Sequence, residues 1–233
     1  MNKTVILSFI FSIALLTSCK KDKTEPDYEE ETTTVASHPY GYFKNHLSYT
    51  IIADTVPMQK NYAPTAYFYS DSIVSDLVNV DSVSINKVYL KASNSKLYYS
   101  YDPIAETESA WHVKGKDAIP SFDYKYPMPS YASYAQLPDS INLLQGLTIS
   151  LIDVLNITKG SSITIFDNLG KYIPKEIKPG ATSVTFTAAE FAYLHKSKFY
   201  LYINLINQQT QRVNGKSFSF DNQLVINKYL YTF

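Results

Sequence analysis

One thiol, four imidazoles and a scatter of carboxylates are the chemically capable groups of this chain, and their spacing limits what they can do. Cys19 is the only cysteine, so no intramolecular disulfide can form, and a thiolate metal site or cysteine catalysis has nothing to work with in the body of the chain. His38, His46, His112 and His195 stand in no HxH or HExxH spacing, which leaves a metal site unsupported. His112 follows Trp111 in a stretch that alternates as a strand does. The two side chains are therefore expected on opposite faces, Trp111 in the core and His112 outside. The aspartates, among them Asp71, Asp81, Asp123, Asp167 and Asp221, fall mostly at turns and strand ends, where Asp bonds to nearby backbone. No pair of them stands out as the two carboxylates of a glycosidase. A GxSxG elbow, a Walker loop and a GxGxxG motif are all missing, and seven glycines are too few for phosphate-cradling loops to be a theme. We expect no catalysis, no cofactor and no metal.

Binding is the better prospect. The chain has 21 tyrosines against 12 phenylalanines and one tryptophan, a composition that suits pleated, half-buried surfaces. Tyr124, Tyr126, Tyr131 and Tyr134 crowd into one short run with Phe122. Flat rings with polar tips could form a platform there for a glycan, although aromatics in a connector more often pack between adjoining domains. Charge points away from nucleic acid: 21 basic residues balance 21 acidic ones, with no basic excess to neutralise phosphates. Arg212 is the only arginine, so bidentate recognition of phosphate is not the main task either.

At the amino terminus Lys3 precedes an apolar run over 5–16, too short for a comfortable membrane span and suited to a signal peptide. It ends in Leu16-Thr17-Ser18-Cys19, which resembles the bacterial lipobox. The resemblance implies cleavage before Cys19 and a diacylglyceryl thioether on its sulfur, with the new amino group acylated as well. Each buried methylene of such chains contributes about 0.8 kcal/mol, so several acyl chains, palmitate among them, anchor far better than one. Residues 1–18 are thus read as a signal peptide, and the lipid bilayer is a partner through Cys19. The charged stretch that follows has almost nothing to bury, so 19–37 reads as a disordered, lipid-bearing tether. It resembles the segment after the lipid cysteine in Bacteroidota lipoproteins, where acidic residues can direct export to the outer leaflet. Lys20, Lys21 and Lys23 interrupt the acids here. The expected location is the outer membrane, with display at the cell surface a further step that the lysines weaken.

Beyond the tether, short alternating segments separated by Pro, Gly, Asn, Asp and Ser predict an all-β protein. Strands are expected over 48–52, 66–69, 83–91, 96–101, 110–114 and 121–126, with a tight hairpin at Asn94-Ser95. A second series is expected over 147–154, 161–167, 182–187, 198–205, 217–221 and 224–231. Pro127, Pro129 and Pro138 mark a connector between them. The expected organisation is two small β-sandwich domains, 38–135 and an immunoglobulin-like 136–233. Thr187 and Glu190 have the spacing of a capping box, predicting one helical turn that crosses between sheets and plugs the sandwich end with Phe191 and Leu194.

Several of these pieces resemble uncharacterised envelope lipoproteins of Bacteroidota with tandem immunoglobulin-like domains. The pieces are Val83-Ser84-Ile85-Asn86 leading to Leu90, Ala110-Trp111-His112-Val113-Lys114-Gly115, Ile119-Pro120-Ser121-Phe122, Leu147-Thr148-Ile149-Ser150, the run from Ser183 to Glu190, and a last strand near 222–231. The resemblance implies an envelope location and all-β domains, and it brings no mechanism. The function expected from the sequence is a membrane-anchored envelope lipoprotein acting as a non-catalytic binding or structural module for a protein partner. The alternative is a carbohydrate-binding surface lipoprotein that captures glycans.

Overall fold

The structure is a computed structural model that describes residues 37–51, 59–73, 76–195 and 198–232. The expected signal peptide, Cys19 and all but the last residue of the tether lie outside them. The described residues fall within one compact unit, Ala36–Phe233, and the fold is all-β as the alternation predicts.

Its spine is a long hairpin, Phe199–Val213 and Lys216–Thr232, joined by Asn214-Gly215. Both turn residues have positive φ, 49° and 79°, as the tight hairpin turn that follows sheet twist requires. The strand Gly41–Ile51 lies parallel to Lys216–Thr232, in register from Gly41 against Phe218 to Ile51 against Lys228. On the far side of the hairpin come Ser162–Asp167 and Tyr172–Glu176. On the far side of Gly41–Ile51 come Thr65–Tyr69, Tyr98–Tyr99 and Lys91–Ala92. One eleven-stranded sheet therefore crosses the boundary expected between 135 and 136. The first strand is responsible: it comes from the amino-terminal half and pairs beside the last.

Two apolar cores lie along one face of this sheet. Phe43, Phe68, Phe218 and Phe220 pack with Trp111, Val113 and Tyr126 beneath a four-stranded sheet. That sheet runs in the order Phe122–Pro127, Glu108–Lys114, Ser82–Ile85 and Val88–Tyr89. Leu47, Ile163, Leu201, Ile203, Leu224 and Ile226 form the second core with Ile149, Phe186, Phe191 and Leu194. The pair Leu147–Ser150 and Ser183–Phe186 covers it, together with the short helix Ala188–Phe191. The capping box forms as expected: Thr187 accepts from the Glu190 N–H and Glu190 accepts from the Thr187 N–H. The helical turn does cross between sheets, and Phe191 and Leu194 are buried at 1% and 5% exposure.

Between the cores runs a row of three asparagines, Asn45, Asn222 and Asn207, paired across the three central strands and all buried. The Asn222 and Asn207 amides both donate to the Pro127 carbonyl, at 3.0 and 2.9 Å. Asn45 donates to Ser109 Oγ at 2.8 Å, and Ser109 passes the bond on to Asn222 Oδ1 at 2.6 Å. Leaving buried amides unpaired would cost about 1–3 kcal/mol each, so this network fixes the proline-rich segment firmly on the spine. Met128 and Leu137 are buried at 1% and 4%. Lys228 reaches from the last strand to Leu137 O and Asp139 Oδ1, both at 2.5 Å. The segment expected to connect domains is instead packed into the fold.

Candidate ligand-binding surfaces

The four-stranded sheet has an outward face built by strand parity. Tyr89, Ser84, His112 and Asp123 stand in register across its four strands, and Ala110 pairs with Lys125 in the next row. Ser84 and Ala110 are small and occupy the two central strands, while larger side chains rise on either side of them. The result is a trough of about 840 Å³, within the range of small-molecule sites. Asn86, Lys87 and Tyr89 form one wall, and His112, Asp123, Lys125 and Glu108 the other. His112 points out and Trp111 in, at 1% exposure, as the alternation predicts.

Local bonds hold these walls. Asn86 and Lys87 turn the hairpin between Ser82–Ile85 and Val88–Tyr89 with φ of 48° and 69°. This splits the single strand expected over 83–91, while the hairpin expected at Asn94-Ser95 does form, joining Lys91–Ala92 to Tyr98–Tyr99. The Asn86 side chain accepts from the Ala110 N–H at 2.8 Å and donates to Glu108 O at 2.8 Å. At the opposite end of Glu108–Lys114 the chain must turn at Gly115, where a Cβ would lie 2.1 Å from Ile119 O. His112 Nδ1 lies 2.6 Å from Asp123 Oδ1, and Lys125 lies 3.6 Å from Glu108. Ala105 and Thr107 also line the trough, and Glu106 between them accepts from the Tyr49 and Tyr62 hydroxyls and from Lys60 at 2.6, 2.8 and 2.7 Å. Burial works to raise the Glu106 pKa, but these bonds outweigh it and hold the carboxyl below its usual range. Burial, reinforced by the Glu106 hydrogen bond, pushes Tyr49 upward.

A second surface lies on the face of the large sheet turned away from both cores. There Tyr172, Phe166, Tyr200 and Tyr229 stand in register across four adjacent strands. Ring centroids are 5.7, 6.3 and 5.3 Å apart along the row, with planes tilted by 40° to 60°. Three strand spacings make the row about 14 Å long. Its ends, Tyr172 and Tyr229, are 56% and 46% exposed. Further along the same face Tyr42 stacks on Tyr67 at 5.1 Å, with Tyr69 edge-on to both. Polar side chains, among them His46, Gln223, Lys44 and Asp221, lie between the two aromatic groups. Burial pushes Tyr200 and Tyr202 upward and lowers His46.

The four tyrosines expected as a ligand platform do not form one. Tyr126 and Tyr131 are 3% and 4% exposed, the first in the core under the four-stranded sheet and the second in the other core. Tyr131 donates to Ser150 O at 2.7 Å, and burial with the nearby Asp153 charge pushes its pKa up to about 12. Tyr124 donates to Gln209 Oε1 at 2.7 Å, and Tyr134 packs on Tyr49 at 5.2 Å. Their rings are occupied by the fold, and the two pairs face different cores. The residues of the aromatic row belong to four separate strands, so only the pairing register could have brought them to notice. Among the described residues no three His, Cys, Asp or Glu side chains gather as a metal site.

No known protein family matches the chain, and no curated protein does. A solved structure described as "Structural insight into host cell surface retention of a 1.5-MDa bacterial ice-binding adhesin" aligns over 81% of this chain and 65% of its own, at 12% identity and a TM-score of 0.22. A likeness that weak carries no argument about this chain.

Proposed function

We propose that this protein is a lipid-anchored envelope module that binds carbohydrate and performs no chemistry on it. The observation that carries the reading is the row Tyr172, Phe166, Tyr200 and Tyr229. Four aromatic side chains stand side by side on an open sheet face, one from each of four adjacent strands. Tyrosine combines an apolar ring, which a sugar face can cover, with a hydroxyl that bonds to sugar hydroxyls. The tilt between rings gives the row ridges, which favour a chain of sugars lying across it over a flat crystalline surface. Cys19, at the end of Leu16-Thr17-Ser18, supports attachment to the outer membrane through acyl chains.

A glycan array probed with the purified native protein tests the ligand. Signals that disappear with Tyr200→Ala and Tyr229→Ala are the expected result. A silent array turns the reading toward a protein partner. Mass spectrometry of the native amino terminus tests the anchor: an unmodified start upstream of Cys19 would remove the envelope location and the role that depends on it. An activity screen that finds turnover of any polysaccharide or peptide would end the non-catalytic reading.

A further inference from the structure

We propose that the trough on the four-stranded sheet is a second saccharide site, and that it selects a sugar carrying a carboxylate. This extends the carbohydrate reading to a separate surface with its own specificity. The argument starts from charge. His112 Nδ1 lies against Asp123 and Lys125 against Glu108, so both acids of the lining already have side-chain partners. Lys87 is the lining cation with no carboxylate within salt-bridge distance among the described residues.

Its backbone is also unusual. Lys87 is the second residue of a two-residue turn, with φ of 69°, a position that ordinarily takes glycine. A lysine held there in the left-handed region is strained, and the ammonium it brings to the trough is the one feature glycine could not supply. Beside it Tyr89 is 69% exposed and offers a free ring face and hydroxyl. Ser84 and Thr107 add hydroxyls to the lining. An open trough with an exposed tyrosine ring, hydroxyls and an unpaired cation offers a short oligosaccharide both a stacking face and polar partners.

The nature of the anion follows from what surrounds Lys87. A doubly charged phosphate calls for more donors than one ammonium supplies, and Arg212, the one arginine, lies outside the lining. A singly charged carboxylate on a sugar ring asks for one ammonium, and Lys87 provides one.

Isothermal titration of the native lipidated protein in detergent, with trigalacturonate as the acidic probe and trigalactose as the neutral one, tests this. The acidic probe is expected to bind at least tenfold more tightly, with an affinity that falls as salt rises. Lys87→Gly should weaken the acidic probe at least tenfold while leaving the melting temperature equal or higher, because glycine relieves the turn. Tyr89→Ala should weaken both probes. Equal affinity for the two probes, no heat from trigalacturonate, or full binding by Lys87→Gly would overturn the proposal. Tyr200→Ala should leave trigalacturonate affinity unchanged. If that substitution abolishes it and Lys87→Gly does not, the ligand lies on the aromatic row: the trough falls and the carbohydrate reading stands. Array signals untouched by Tyr200→Ala, with trigalacturonate binding lost in Lys87→Gly, would separate the two the other way: the aromatic row falls and the trough stands.

Discussion

Tyr131 and Tyr200 are the same side chain in opposite employment. Tyr131 is 4% exposed and its hydroxyl is held by the Ser150 carbonyl. Tyr200 stands on the outer face of the large sheet, in a row whose ends are about half exposed. Sequence proximity gathers Tyr124, Tyr126, Tyr131 and Tyr134, and the fold disperses them between two cores. Strand pairing gathers Tyr172, Phe166, Tyr200 and Tyr229, which the sequence scatters over 64 residues. In a sheet, lateral register builds a surface, and crowding along the chain does not.

The packed side of the comparison should break under large truncations. Tyr131→Ala is expected to destabilise the protein by about 3–5 kcal/mol, read as a lower urea midpoint at unchanged slope, because it empties a buried site and removes the hydroxyl's bond to Ser150 O. A loss under about 1 kcal/mol would mean that the ring is not a core member. Asn222→Ala comes next, at about 1–3 kcal/mol. It strips Ser109 Oγ of its acceptor and takes one of two donors from the Pro127 carbonyl, while Asn207 keeps the other. Asn207→Ala should cost less, since it leaves the Ser109 bond intact.

The legibility of these regions in the sequence differs for the same reason. Alternation disclosed the all-β class and the inward Trp111, as the spacing of Thr187 and Glu190 disclosed the capping box, and each of these depends on neighbours within a few residues. It broke down over Asn207–Arg212, where Asn and Gln take the inward positions and the apolar signal of a long strand disappears. The prolines at 127, 129 and 138 were read as a stiff connector because nothing local shows that three distant asparagines and Lys228 wait to receive it. The parallel pairing of Gly41–Ile51 with Lys216–Thr232 joins the two ends of the chain, and it decides the layout of the whole sheet. Neither the trough nor the aromatic row could be seen before that register was known.

On the open side, Tyr200→Ala and Tyr229→Ala should each change stability by less than about 1 kcal/mol, the usual worth of a cross-strand pair. Thermal melts of the two variants close to the parent, with glycan retention lost, would sharpen the contrast with Tyr131. Melts as damaged as that of Tyr131→Ala would erase it.

The smallest effect expected lies in the polar stretch between the two aromatic groups. Burial raises the Asp221 pKa, against the opposing influence of Lys44, the Gln223 hydrogen bond and His46. Its Oδ1 is buried with no hydrogen-bond partner among the described residues, while Oδ2 accepts from Gln223 at 2.9 Å. A carboxyl whose folded pKa lies above its unfolded value of about 3.9 binds a proton more readily when folded, so its ionisation opposes folding. That penalty is absent below the unfolded pKa and is fully present above the folded one. Asp221→Asn should therefore give a slight gain in urea midpoint at neutral pH that shrinks to nothing on acidification through the same window. A gain that persists in acid would assign the effect to packing, and a loss at neutral pH would mean that the attraction of Lys44 outweighs desolvation. Only the second result would show that this polar stretch is held by its charges, which would make it more than a passive gap between two sets of rings.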